Sequence, residues 1–291
     1  MTPKSGVRNQ NYPMRRLTLL TNPDTCNLHC PLCFLNQRGG PSGFGEMPIE
    51  VARRSIEKYA GVREVIPSTM GEPLLYSHFE ELLELCRSRG TPLNLTTNGS
   101  FPKKWGSDEG LKSLLLACSD IKVSSLSYET GGLPEDEWNA NVEKLLDVRR
   151  LLLEGDSSQA VATVSLQVTL HRENADFAPE LLRWAERVGI SRIKWNPVVF
   201  LGCASRELRE RFALPEGAVE RLRKDLHSDR VRCEGSLYFE VRGGSCAVSG
   251  KDCDGKSPEC PFADEVWVWS DGHEDHCPEP ERRWGSTCCS E

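Results

Sequence analysis

Residues 16–34 read RLTLLTNPDTCNLHCPLCF, a β-rich run that passes directly into a loop holding Cys26, Cys30 and Cys33. The spacing is C-x3-C-x2-C. Three thiolates in one short loop can hold three irons of a cubane cluster. No fourth cysteine follows nearby, so the fourth iron lacks a protein ligand, and an open coordination position marks a catalytic metal centre rather than a structural one. The competing reading is a zinc knuckle completed by His29. It requires the adjoining residues His29 and Cys30 to share one tetrahedral ion, which strains the site.

Outward from this loop, the chain to residue 200 alternates between two kinds of segment. β-rich runs are expected at 15–21, 63–67, 93–97, 121–125, 161–170 and 192–200. Helical spacing marks 49–59, 77–89, 109–117, 137–153 and 179–188. The fifth helix is entered at Asn174 or Asp176 and left at Gly189. Six strands with helices between them predict an α/β fold with a parallel sheet, either open or curled into a partial barrel. Crossovers of this kind are right-handed, and ligands bind beyond the carboxyl ends of the strands.

The cysteine triplet, with the apolar Leu32 before its last member, resembles the cluster motif of the radical S-adenosylmethionine superfamily. The resemblance covers residues 15–200 and implies a partial (β/α)6 barrel. It also implies a [4Fe–4S] cluster on Cys26, Cys30 and Cys33 whose open iron is chelated by S-adenosylmethionine. Electron transfer then cleaves the sulfonium to a 5′-deoxyadenosyl radical, which takes a hydrogen atom from the substrate. After the second strand, Met70-Gly71-Glu72-Pro73 resembles the family's Gly-Glu-Pro motif, with Gly71, Glu72 and Pro73 at the methionyl amino group; glycine permits close backbone approach. Thr97, within Thr96-Thr97-Asn98-Gly99, ends strand three. Ser124 is expected at the ribose, Arg172 at the methionyl carboxylate, and Asn196 and Val198 near the adenine.

Charged residues make up 27% and hydrophobic residues 38% of the 291, with a net charge of -7. The acidic balance argues against phosphate-led nucleic-acid binding. No stretch approaches the roughly 20 apolar residues of a membrane span, and the polar N-terminus lacks a secretory pattern. A cytoplasmic location follows as the expectation, where thiols stay reduced. Thirteen cysteines then call for metal sites rather than disulfides. Cys86 and Cys118 sit in apolar helical surroundings and are expected to pack as small hydrophobes.

Beyond residue 200 the composition changes. Residues 205–232 read as one or two exposed helices, and 233–291 are rich in Gly, Cys, Pro and Asp, with too little core to fold without metal. The expected units are 1–214, the partial barrel, and 215–291, a small Cys-rich domain. In the stretch 260–277, CPFADEVWVWSDGHEDHC, a hairpin around Ser270-Asp271-Gly272 would bring Cys260 and Cys277 together. This resembles the auxiliary-cluster domains named SPASM and twitch, implying a second [4Fe–4S] cluster on Cys246, Cys253, Cys260 and Cys277. Cys288 and Cys233 are alternative fourth ligands, and a four-cysteine zinc site is the competing reading. The pair Cys288-Cys289 is either a ligand with a bystander or a soft-metal or disulfide-exchanging tail.

The resemblance implies a radical enzyme of oxidoreductase or maturase type. It would act on a peptide or a small molecule and draw electrons from a donor such as flavodoxin or ferredoxin. Cys203 is a conceivable hydrogen-atom donor. Two alternatives stand beside this: a transferase delivering an S-adenosylmethionine-derived group to a soft acceptor on the tail thiols, and a non-enzymatic iron–sulfur or zinc module.

Overall fold

In chain order the elements are β1 (Arg16–Leu19), α1 (Phe34–Gln37), α2 (Ile49–Lys58), β2 (Glu64–Pro67), α3 (Phe79–Ser88), β3 (Leu93–Thr97), α4 (Asp108–Ala117), β4 (Cys118–Ser124), α5 (Leu126–Glu129), α6 (Glu135–Gly155), β5 (Thr163–Leu170), α7 (Ala178–Val188), β6 (Arg192–Pro197), α8 (Arg206–Phe212), α9 (Ala218–Asp225), β7 (Arg232–Glu234), β8 (Glu265–Val268) and β9 (Glu274–Asp275). The structure is a computed structural model describing residues 15–67, 70–238 and 264–276. The six strands and five helices read from the sequence are all present, with boundaries displaced by a few residues. Local capping explains several ends. Ser107 accepts a hydrogen bond from Gly110 N at the start of α4, and Gly189 closes α7 at φ 89°.

One sheet runs in the order β7-β6-β5-β4-β3-β2-β1-β8-β9. All neighbouring pairs are parallel except the β8–β9 hairpin. The sheet is therefore wider than the six strands expected. The described strands after residue 214 continue it at both edges: β7 beside β6, and β8 beside β1 with Arg16 opposite Glu265. Sequence patterns carry no label for the partner of a strand, and the run at 266–269 gave no sign that it would lie against the first strand.

The strands alternate, and the two faces have opposite character. Leu17, Leu19, Val65, Leu93, Leu95, Ile121, Val123, Leu166, Ile193 and Trp195 are buried on one face. They form one core with the helices, which contribute residues such as Ile56, Leu82, Leu114, Val142 and Leu182. Burial of each such side chain stabilises the fold by about 1.5–3 kcal/mol. Cys86 and Cys118 belong to this core, and burial pushes the Cys86 thiol up to about 12. The other face carries Arg16, Asn94, Thr96, Lys122, Ser124, Gln167, Lys194, Asn196 and Trp267, which line a single cleft. Five strand spacings separate β1 from β6, about 24 Å if the sheet were flat. Arg16 and Lys194 nonetheless share the cleft. The sheet is curled into a partial barrel with a polar interior.

Candidate functional site

The cleft has a volume of about 600 Å3, and Cys26, Cys30 and Cys33 line its rim at the carboxyl ends of the strands. The loop from β1 carries all three. Cys33 N donates to Cys30 O at 3.0 Å, and Gln37 N to Cys33 O at 2.9 Å, so Cys33 opens α1. Gln37 is buried and ties the loop to the chain after β6: its side-chain nitrogen donates to Leu32 O (2.8 Å) and Val199 O (3.1 Å), and its oxygen accepts from Leu201 N (2.9 Å). Burial raises all three thiols, with Cys30 pushed up to about 12 by desolvation and the neighbouring Cys33 and Cys26. Metal ligation offsets that cost because it deprotonates thiols outright. Among the described residues no three His, Cys, Asp or Glu side chains converge on one metal ion, and His29 is exposed and does not line the cleft. The donor set fits a cluster in which each thiolate takes its own iron rather than zinc.

Gly71, Glu72 and Pro73 lie beside the cysteines. Gly71 has φ +75°, and a Cβ on it would meet Asn22 O at 2.1 Å and Thr25 O at 2.8 Å. The close approach expected of this glycine is thus to the cysteine loop's own backbone. Glu72 N donates to Thr25 O (2.8 Å), and Asn22 Nδ2 donates to Glu72 O (2.7 Å). The Glu72 carboxylate accepts from Leu74 N (3.2 Å), Thr97 Oγ1 (2.8 Å) and Asn98 N (2.7 Å). It locks the ends of β2 and β3 together. Burial raises it to about 7 against the pull of these three donors. Asn98 in turn donates to Asn27 Oδ1 (2.9 Å) and approaches Cys26 Sγ (3.8 Å). Gly131 is a further close neighbour that sequence reading missed: a Cβ there would lie 2.5 Å from Cys30 Sγ.

Thr97, Ser124 and Val198 all line the cleft, as does Asn196. Two expected residues do not. Arg172 is exposed, and its Nε donates to Ala213 O (3.1 Å) on the far side of the β5 terminus. It lies two residues past the end of β5, in a turn tied to the end of α8, where Arg172 N donates to Phe212 O (3.0 Å). Cys203 packs against the cluster of Leu20, Met70, Leu201 and Trp269 rather than lining the cleft. Cys233 packs against the apolar core through β7. Cys246, Cys253, Cys260, Cys277, Cys288 and Cys289 lie outside the described residues. The hairpin does form: Trp267 pairs with Asp275 and Val268 with Glu274, and Gly272 N donates to Trp269 O (2.9 Å).

The floor of the cleft was not foreseen. Arg15 and Arg16 pair with Glu265, and Arg16 Nε contacts Glu64 at 2.5 Å. Asn94 Nδ2 donates to Glu64 (2.7 Å) and its oxygen accepts from Lys122 Nζ. Lys122 pairs with Asp120 (3.2 Å), Asp120 with Arg192, and Arg192 with Glu234 (3.4 Å). This belt crosses the bottom of the barrel from β8 to β7. The signal was available: β4 reads D-I-K-V-S and β6 R-I-K-W-N, so every second residue is polar. Parallel strands buried on both faces by apolar layers read instead as continuous hydrophobic runs.

A family model for the radical SAM superfamily matches residues 23–185. The chain is 29% identical over 215 residues to the 7,8-dihydro-6-hydroxymethylpterin dimethyltransferase of Methanocaldococcus jannaschii, covering 68% of this chain and 40% of that protein. It is 22% identical over 180 residues to the tungsten-containing aldehyde ferredoxin oxidoreductase cofactor-modifying protein of Pyrococcus furiosus, covering 57% and 46%. The chain thus spans less than half the length of these curated relatives. Among solved structures, it resembles Streptococcus suis SuiB bound to S-adenosylmethionine, at TM-score 0.62 and 15% identity, covering 92% of this chain and 60% of that one. It also resembles anSMEcpe with AdoMet and a peptide bound, at TM-score 0.54 and 16% identity, covering 90% and 74%. These likenesses establish a shared fold. The family match takes in more than half of the sequence and contains the cysteine loop and Gly71–Pro73 together, so this chain belongs to the radical SAM superfamily.

Proposed function

We propose that the chain is an enzyme that reductively cleaves S-adenosylmethionine and abstracts a hydrogen atom from a substrate held in the barrel. The observation that carries this is the convergence of Cys26, Cys30 and Cys33 with Gly71–Pro73, Ser124 and Val198 on the rim of one cleft. With a [4Fe–4S] cluster on the three thiolates and S-adenosylmethionine on its open iron, the bound groups supply a 5′-deoxyadenosyl radical. The chain's own residues position and enclose: the turn at 71–73 borders the methionyl end, Ser124 offers a hydroxyl to the ribose, and Val198 an apolar surface. Thr97 acts through Glu72, to which its hydroxyl is committed. The test is anaerobic reduction of the iron-loaded chain with dithionite and S-adenosylmethionine, followed by assay for 5′-deoxyadenosine. Absence of that product with a fully loaded cluster would refute the reading.

A second [4Fe–4S] cluster, on Cys260 and Cys277 with two of the remaining cysteines, belongs to the same proposal. The open end of the hairpin supports it: β8 starts opposite Arg16, at the amino end of β1, and His276 Nδ1 lies 3.0 Å from Glu265 O. A cluster there would sit at the opposite end of the barrel from Cys26, Cys30 and Cys33, where it could take an electron from the substrate. The substrate is a peptide or a small molecule. Two curated relatives are named for action on a pterin and on a cofactor, and a solved structure of similar fold is bound to a precursor peptide. A flavodoxin or ferredoxin is the electron donor in this reading.

A further inference from the structure

Among the described residues, four cations point into or under the cleft from the inner faces of β1, β4 and β6. Arg16, Lys122 and Arg192 are each within ion-pair distance of a carboxylate. Lys194 lines the cleft with no carboxylate that close and no hydrogen-bond partner. Glu234 and Glu265 are near enough to favour its ammonium, but Arg192 and Arg16 oppose them, and burial lowers the lysine below its ordinary range. The two carboxylates nearest to it are already held, Glu265 by Arg15 and Arg16 and Glu234 by Arg192 and Arg232. A half-buried ammonium without a counter-ion costs stability, and such groups in a cleft mark binding sites. The excess of positive charge is local, since the whole chain carries -7.

Lys194 stands in register between Gln167 on β5 and Glu234 on β7, and Glu234 is taken up by Arg192 (3.4 Å) and Arg232 (3.3 Å). The other neighbour of Gln167 is Ser124. Lys122 stands two strands away on the same floor. We infer that Lys194, with Gln167 beside it and Lys122 facing it, forms an anion-binding floor that receives a carboxylate or phosphate of a small-molecule substrate. The inference rests on the reading of the cleft as the site of radical chemistry and names the class of molecule that enters it. The substrate descends with its anionic end first, because the belt of ion pairs closes the bottom. Its other end then faces the rim, where the cysteines and the Gly71–Pro73 backbone lie.

The experiment is anaerobic titration calorimetry of the iron-loaded chain with S-adenosylmethionine present, using inorganic phosphate and, separately, succinate as probes. At least one anion should bind saturably, and Lys194→Gln should weaken it by about tenfold or more, as loss of a charged hydrogen-bonding partner does. Arg206→Gln, which removes an exposed surface cation, should bind as the parent does. Binding by phosphate alone assigns a phosphate ester; binding by succinate assigns a carboxylate. Iron content equal to the parent shows that the variant is folded. If it falls, Lys194→Met, which keeps the aliphatic stem, takes its place. No saturable binding of either anion, or equal affinity in parent and variant, overturns the inference. The same preparations are assayed for 5′-deoxyadenosine, so the two readings fail separately: product without anion binding sinks only the floor, and anion binding without product sinks only the enzyme.

Discussion

Gly71 faces Asn22 so closely that a Cβ on it would stand 2.1 Å from the Asn22 carbonyl oxygen. The end of β2 and the start of the cysteine loop are thus one backbone-to-backbone junction, and only glycine fits it, with φ +75° as a second constraint. Gly71→Val therefore has to push the cysteine loop away. The variant is expected to lose iron as well as S-adenosylmethionine affinity, measured as iron and sulfide per chain after anaerobic reconstitution. Full iron with weakened cofactor binding would mean that the loop yields without moving its thiols.

Gly131 presses on the same loop from the turn that follows α5. Its missing Cβ would lie 2.5 Å from Cys30 Sγ and 2.7 Å from Ser127 O. Gly131→Ala is a single methyl group, yet it occupies the space of a ligand atom. Reconstituted iron should fall well below that of the parent, while the apo chain keeps its helical circular dichroism. An unchanged iron content would show that Cys30 can turn away at no cost.

Glu72 gives a pH dependence with a definite sign. Burial holds its carboxyl up to about 7, above its ordinary value. The folded iron-free chain therefore binds this proton more tightly than the unfolded chain. Its contribution is present below the unfolded pKa and is lost as pH rises through about 7, an effect of at most roughly 3 kcal/mol. Thermal melts of the iron-free parent should decline across this interval more steeply than those of Glu72→Gln. Glu72→Ala leaves Thr97 and Asn98 without their buried acceptor and should destabilise by about 1–3 kcal/mol.

Replacing Cys26, Cys30 and Cys33 together by Ala separates the two cluster sites. The parent is expected to hold close to eight irons and the triple variant about four, because the proposed auxiliary ligands all follow residue 240. Deleting residues 285–291 should leave iron near eight if Cys288 and Cys289 are not ligands. A triple variant without iron would remove the auxiliary cluster from the account.

The cysteine loop, the Gly71–Pro73 turn and the order of strands and helices were legible in the sequence, because each is a local signal. Ligand spacing is fixed by covalent connectivity within eight residues, and the strand and helix periods repeat within a single element. The hairpin at 265–275 was legible for the same reason, since Asp271-Gly272 is a turn read from its own residues. The placement of Arg172 was not, because it lies beyond the last residue of β5, in a turn fixed by hydrogen bonds to Phe212 and Ala213, which are distant in sequence. The pairing of β8 with β1 joins residues about 250 positions apart in sequence, and nothing in either strand names the other. The polar floor depends on curvature. Arg16, Lys122 and Lys194 are unremarkable alternating residues on separate strands until the sheet curls and desolvates them together. Local chemistry thus named the cysteines and the glycine turn that meet at the rim of the cleft. Long-range packing decided which residues face the cleft and left Lys194 there without an ion-pair partner.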